Sequence, residues 1–237
     1  MSYFRNFPIE SYQFANGDNA LMQNLAVHVE MIDQIKENSA FYQDYHIRDG
    51  DRPDNVAYDL YKNPQLHWTF YFMNDSIKEY GWPLTQRALE DKIKSEFSGI
   101  TLKTHSDIHM FSKDMIVESD SGATGKVSHI DTSLGHIVIE STSEVQFVSG
   151  DVVTSPSHLN SVILISVAPE YLSAHHYTDN NGNIVDYRTK DGWNSNLYEE
   201  STLEYYRSIN ESIRKIRVIK PTSIVAVTSL FNRAVTS

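Results

Sequence analysis

At 237 residues, 40% hydrophobic and 11% aromatic, the chain has enough apolar surface to bury a core as one large domain or two small ones. A formal charge of −11 with scattered lysines and arginines argues against nucleic-acid binding, which needs a basic face against phosphate. The lack of cysteine excludes disulfides, thiolate nucleophiles and cysteine-bound zinc; with neither a membrane-length apolar run nor a signal-peptide core after Met1, the product is expected to stay in the cytoplasm where it is made.

Leu21, Leu25, His28, Ile32 and Ile35 recur at spacings of three and four and predict a helix over residues 20–37, with Asp18 or Asn19 as N-cap. After a dense segment at 44–84, Leu84, Ala88, Leu89, Ile93 and Phe97 predict a second helix from Thr85 to Phe97. From about residue 106 the period changes to two. Met115–Val117, Gly125–Ile130, His136–Ile139 and Val145–Val148 read as strands of a small antiparallel barrel or meander, punctuated by Gly122, Gly125, Gly135 and Gly150. Ser161–Val167 is a further strand, and Asn181-Gly182 predicts a type I′ hairpin turn. Leu203, Tyr206, Asn210, Ile213 and Ile216 mark a long helix with a narrow stripe, closed by Pro221. Glu199, Glu200 and Glu204 before Arg207, Arg214, Lys215, Arg217 and Lys220 complement the dipole of such a helix, which favours a solvated face over a phosphate site. The tail after it, including Ile224–Val227, is apolar but too short to span a bilayer.

The dense segment reads as a strand ending in a Gly50 turn, then a helix capped by Asp51 with Pro53 in its first turn and Val56, Ala57, Leu60 and Tyr61 on its apolar face. Asn63-Pro64 interrupts the chain. Leu66, Trp68, Thr69, Phe72 and Met73 build a second apolar helix, with Asn74 in the left-handed position at its end.

That order of elements resembles a LysM module. The strings around Asp49-Gly50-Asp51-Arg52-Pro53, Leu60-Tyr61-Lys62-Asn63-Pro64-Gln65-Leu66-His67-Trp68, Met73-Asn74-Asp75 and Tyr80-Gly81-Trp82-Pro83-Leu84 look like those of the LysM-like baseplate wedge clamp subunits of T-even-type contractile-tailed phages. Ala174-His175-His176-Tyr177 and Asn210–Pro221 fit the same family, so the likeness covers about residues 40–97 and 170–221. The signature residues are Gly50, Asp51, Pro53, Ala57, Tyr61, Pro64, Trp68, Asn74, Trp82 and Pro83. The resemblance implies a non-enzymatic virion protein of the tail baseplate, assembled in the host cytoplasm as a hetero-oligomer with other wedge proteins. It implies no membrane, nucleic acid or small-molecule substrate. Leu203, Tyr206, Asn210, Ile213, Arg214 and Ile216 are the expected partner-binding residues, since one face of the long helix must meet something.

The expected fold class is α+β: an N-terminal arm and helix (1–39), a LysM-like βααβ core (40–100), an inserted β-rich domain (105–160), a strand and hairpin connector (161–193), and a C-terminal helix and tail (194–237). Tyr61 and Trp68 at helical spacing read first as core. A peptidoglycan-binding module of a tail-associated hydrolase is the alternative, disfavoured because Ser76–Pro83 replaces the second sugar-binding loop and no repeat follows. No catalytic, cofactor or metal residues are assigned. His105 and His109 lie outside a helix, and His175 and His176 would point apart in an extended strand. Asp179–Asn183 lacks the closing glutamate of a calcium loop, and Gly122–Val127 lacks the spacing of a phosphate loop.

Overall fold

The computed structural model describes residues 9–23, 36, 38–154, 161–189, 192–194 and 196–236. In chain order, strands β1 (Ile9–Gln13), β2 (Asn19–Gln23) and β3 (Tyr42–His46) precede helices α1 (Pro53–Tyr61), α2 (Trp68–Met73), α3 (Asp75–Tyr80) and α4 (Gln86–Glu96). Six strands follow: β4 (Ile100–Thr104), β5 (Ile116–Ser119), β6 (Thr124–Asp131), β7 (His136–Ser141), β8 (Val152–Thr154) and β9 (Ser161–Pro169). Then come β10 (Ala174–Thr178), β11 (Ile184–Val185), β12 (Arg188–Thr189), β13 (Gly192–Trp193), β14 (Tyr198–Ser201), α5 (Thr202–Ser212), β15 (Lys215–Ile219) and α6 (Ile224–Thr236). The chain divides into two compact units, Met1–Thr85 with Asn210–Ser237, and Gln86–Ile209.

In the first unit β3 pairs antiparallel with β15, Tyr42 opposite Ile219 and His46 opposite Lys215. The alternation of Ile216 and Val218 inward with Lys215 and Arg217 outward is what a half-buried strand requires. Ile47, Ala57, Phe70, Ile77, Ile213 and Ile216 meet in the core beside this sheet. Helix α1 starts at Pro53, whose missing N–H costs nothing in a first turn. It stops where Lys62 turns left-handed (φ 56°) and donates to Tyr58 O. Asn63 then accepts from Gln65 N at 3.0 Å, and Pro64–His67 forms a 3₁₀ turn leading into α2. On the other side Met73, Ile219, Ile224 and Val227 form a second cluster, so α6 buries residues spaced by three and four.

The second unit holds a closed antiparallel barrel, β4-β7-β6-β5-β8-β9. Leu102, Val127, Ile137, Ile139 and Leu164 fill its interior, and Ile108, Phe111 and Phe147 from loops complete the packing. Closure removes every exposed edge of the sheet. Gly125 permits close approach of β6 to β7: a Cβ there would stand 2.6 Å from Ile139 Cδ1 and 3.3 Å from Glu140 O. Beside the barrel, β10 pairs with β11 and β14. Leu89 and Ile93 are the buried face of α4, where Glu90 takes an ion pair from Arg207.

Several expectations are corrected. Residues 20–23, expected to open a helix, lie in β2 paired with β1; Leu25, His28, Ile32 and Ile35 lie outside the described residues. The long C-terminal helix ends at Ser212, and the β-branched run Ile216, Val218 and Ile219 becomes strand because β3 offers it an edge. Asp51 is not the N-cap of α1; Arg52 holds that position without a side-chain bond, while the Asp51 carboxylate accepts the Arg48 N–H at 3.2 Å. Asn74 is extended (φ −132°), not left-handed. Val145–Val148 is irregular chain that sends Phe147 inward. Gly182 alone has positive φ in the 179–183 turn, so it is not type I′; the Asp179 carboxylate accepts from Asn181 N and Asn183 N instead. The barrel's first and last strands, β4 and β9, lie outside the 105–160 segment, one before it and one after.

Candidate assembly surfaces

The signature residues form a framework inside the first unit. Gly50 makes its turn at φ 84°, and the Trp82 indole donates to Asp51 O at 2.7 Å while its ring lies 5.8 Å from that of Phe70. Ala57 and Pro83 are buried, Pro53 is half-buried in the first turn of α1, and Pro64 is exposed at the break between helices. Tyr61 donates to Ile219 O at 2.9 Å, and burial pushes its phenol well above the usual value. Trp68 is half-buried, with its ring 4.8 Å from Phe231 and 5.6 Å from Phe72.

Asn74 acts as a piece of strand. Its side-chain oxygen accepts Arg217 N at 2.7 Å and its amide donates to Arg217 O at 2.8 Å, which satisfies both backbone groups of one β15 residue. The amide also donates to Phe70 O. Asn210 does the same for Leu84, accepting its N–H at 2.8 Å and donating to its carbonyl at 3.0 Å.

The expected partner-binding stripe is not a free face. Leu203, Asn210, Ile213, Arg214 and Ile216 are buried within the chain. Tyr206 is half-buried, with its ring 5.7 Å from Phe97. Arg214 is only 7% exposed and donates to Asp49 Oδ1 at 2.8 Å, Leu84 O at 3.0 Å and Ile47 O at 3.4 Å, with Glu211 Oε2 3.1 Å from its Nε. A guanidinium with so many partners in its own unit ties the Gly50 turn and the loop after Trp82 to the start of β15. Periodicity alone counted these residues as a helical stripe, because a spacing of three between Ile213 and Ile216 fits a helix and also a turn entering a strand.

The exposed apolar surface lies elsewhere. Strands β1 and β2 form a two-stranded hairpin, Ile9 opposite Gln23 and Gln13 opposite Asn19. It exposes Ile9, Tyr12, Leu21 and Met22, with Leu21 78% accessible. The turn carries Asn16-Gly17, Gly17 at φ 89°, a hairpin signal that the helical spacing of the following residues concealed. In the second unit, Ile163 and Ile165 stand on the outside of β9. Nearby, Ile100, Phe147, Val148, Val167 and Pro169 line an apolar pocket of about 500 Å³.

Residues 11–111 match the model of the family described as base plate wedge protein 53. The match supports a phage baseplate wedge protein. It covers less than half of the chain, taking in most of the hairpin, the whole Gly50–Pro83 signature and the first barrel strand. No curated protein matches the sequence. The likeness supports a structural role at the baseplate of a phage tail. Among the described residues no helix is long and apolar enough to cross a membrane.

Proposed function

We propose that this wedge protein clamps neighbouring wedge subunits together during tail assembly in the host cytoplasm, as part of a hetero-oligomer. Its scaffold in this reading is a LysM-like βααβ core with β3 and β15 as the two strands and α1 and α2 as the helices. The signature residues keep that scaffold in shape and perform no chemistry, in line with a family of structural proteins. With the C-terminal stripe buried, the attachment passes to the β1–β2 hairpin. One observation carries this assignment: the hairpin overlaps the segment matched to the wedge family, yet both of its faces present apolar side chains to solvent. A two-stranded hairpin is marginal by itself in water, and burying Tyr12, Leu21 and Met22 against another protein would stabilise both partners.

The test is complementation of a phage lacking this protein by Tyr12→Asp with Leu21→Asp, one change on each face of the hairpin. Both side chains are exposed, so the melting curve is expected to stay within about 0.5 kcal/mol of the parent. Intact baseplates in electron micrographs are expected to disappear. Normal baseplates containing the variant would remove the hairpin from the clamp.

A further inference from the structure

His175 and His176 would face opposite sides of a regular strand, but β10 is irregular here. The register against β14 shifts between Ala174 and His176, and such a bulge re-aims side chains. The two rings come together in a hydrogen bond, Nδ1 to Nδ1 at 3.0 Å with their planes 85° apart, so one nitrogen donates its proton to the other and an ion bound to both would displace that proton. Both rings are held. Tyr205 stacks on His175 with ring centres 3.8 Å apart and lies edge-on to His176 at 5.8 Å. The Glu200 carboxylate stands 3.4 Å from His176 Nε2, which favours the proton on that nitrogen and leaves a lone pair on Nδ1. His175 is exposed at the surface, so an ion can reach the pair.

We propose that His175 and His176 form a two-nitrogen site for a divalent copper- or nickel-type cation, with Glu200 orienting His176 from behind. Imidazole nitrogens bind such ions at about 2.0 Å, and two nitrogens 3.0 Å apart then subtend about 95° at the ion. That is the angle between neighbouring positions of a tetragonal or octahedral centre, and it is narrower than the roughly 109° of tetrahedral zinc. No group of three or more His, Asp or Glu among the described residues is arranged to hold a metal ion, so water fills the remaining positions.

Copper(II) chloride and nickel(II) chloride titrated separately into the full chain at pH 7 by calorimetry test the site. The expected result is one saturable equivalent in the micromolar range, with a tetragonal copper spectrum showing two nitrogen couplings by electron paramagnetic resonance. His175→Gln and His176→Gln are each expected to weaken that equivalent at least tenfold while the melting temperature stays near the parent's. His105→Gln, which changes a histidine held by Tyr187 and Trp193 instead, is expected to leave it intact. Parental affinity in both His175→Gln and His176→Gln, or no uptake of either ion by the parent at millimolar concentration, would overturn the assignment.

Discussion

The barrel closes within one stretch of chain: Ile100 of β4 pairs with Pro169 of β9, the other four strands all come from between them in sequence, and β5-β6, β6-β7 and β8-β9 join consecutive strands. The other unit closes its sheet with Tyr42 opposite Ile219, and in sequence the whole of the barrel unit is inserted between those two strands. Loop-closure entropy grows only with the logarithm of length, so the longer separation adds less than about 1 kcal/mol. What it demands instead is recognition. A strand returning after so long an excursion must find its edge, and the polar groups that meet it are unusually specific: Asn74 on Arg217, Tyr61 on Ile219, and Arg214 on Ile47, Asp49 and Leu84. In the barrel consecutive hairpins set the register of most strands, and side-chain bonds such as Thr104 to Ile163 O and Val152 N to Asp120 help where non-consecutive strands meet.

Ile216→Asp is the strongest way to break that contrast. Ile216 is fully buried between β3 and the helices, so an aspartate there is expected to cost more than about 4 kcal/mol. The first unit is expected to lose its cooperative transition while the barrel's amide signals persist in NMR spectra. Loss of both sets at once would show that the barrel depends on the returning strand, and the contrast would fail.

A pH titration separates the units more gently. His136 in β7 is buried, and burial, with Lys103 adding to it, lowers its pKa from 6.5 to about 4 against the opposing pull of Asp131 and Glu199. The folded barrel therefore resists a proton that the unfolded chain accepts. This part of its stability is complete above pH 6.5 and is lost as pH falls from 6.5 towards 4, up to about 3 kcal/mol in all. Thermal melts of the parent from pH 7 to pH 4.5 are expected to show that fall, reduced in His136→Gln. Equal slopes in parent and variant would assign the acid sensitivity to other groups.

Asn74→Ala sharpens the comparison with the smallest change. It leaves the N–H and C=O of Arg217 without the partner the side chain supplied, a loss of about 1–3 kcal/mol. Hydrogen exchange is expected to speed up at Arg217 more than at any barrel strand. Unaltered protection there would show that the pairing with β3 alone holds β15.

Much of this fold was legible where local chemistry decides. Pro53 opening α1, the Asn63-Pro64 interruption, the helix ending near Glu96, and the period-two runs that became β5, β6, β7 and β9 all follow from backbone constraints and alternation within a few residues. The likeness to baseplate wedge proteins was legible too, through the Gly50–Pro83 strings that the wedge family model also covers. What only the tertiary structure decided was the state of segments with two local solutions. Residues 213–219 carry apolar side chains that suit a helix or a strand, and β3 settled the matter by offering an edge that no local window contains. The same holds for the side-chain roles: Asn74 reads locally as a helix stop, and its hydrogen bonds to Arg217 exist only because the fold brings a strand 143 residues distant against it.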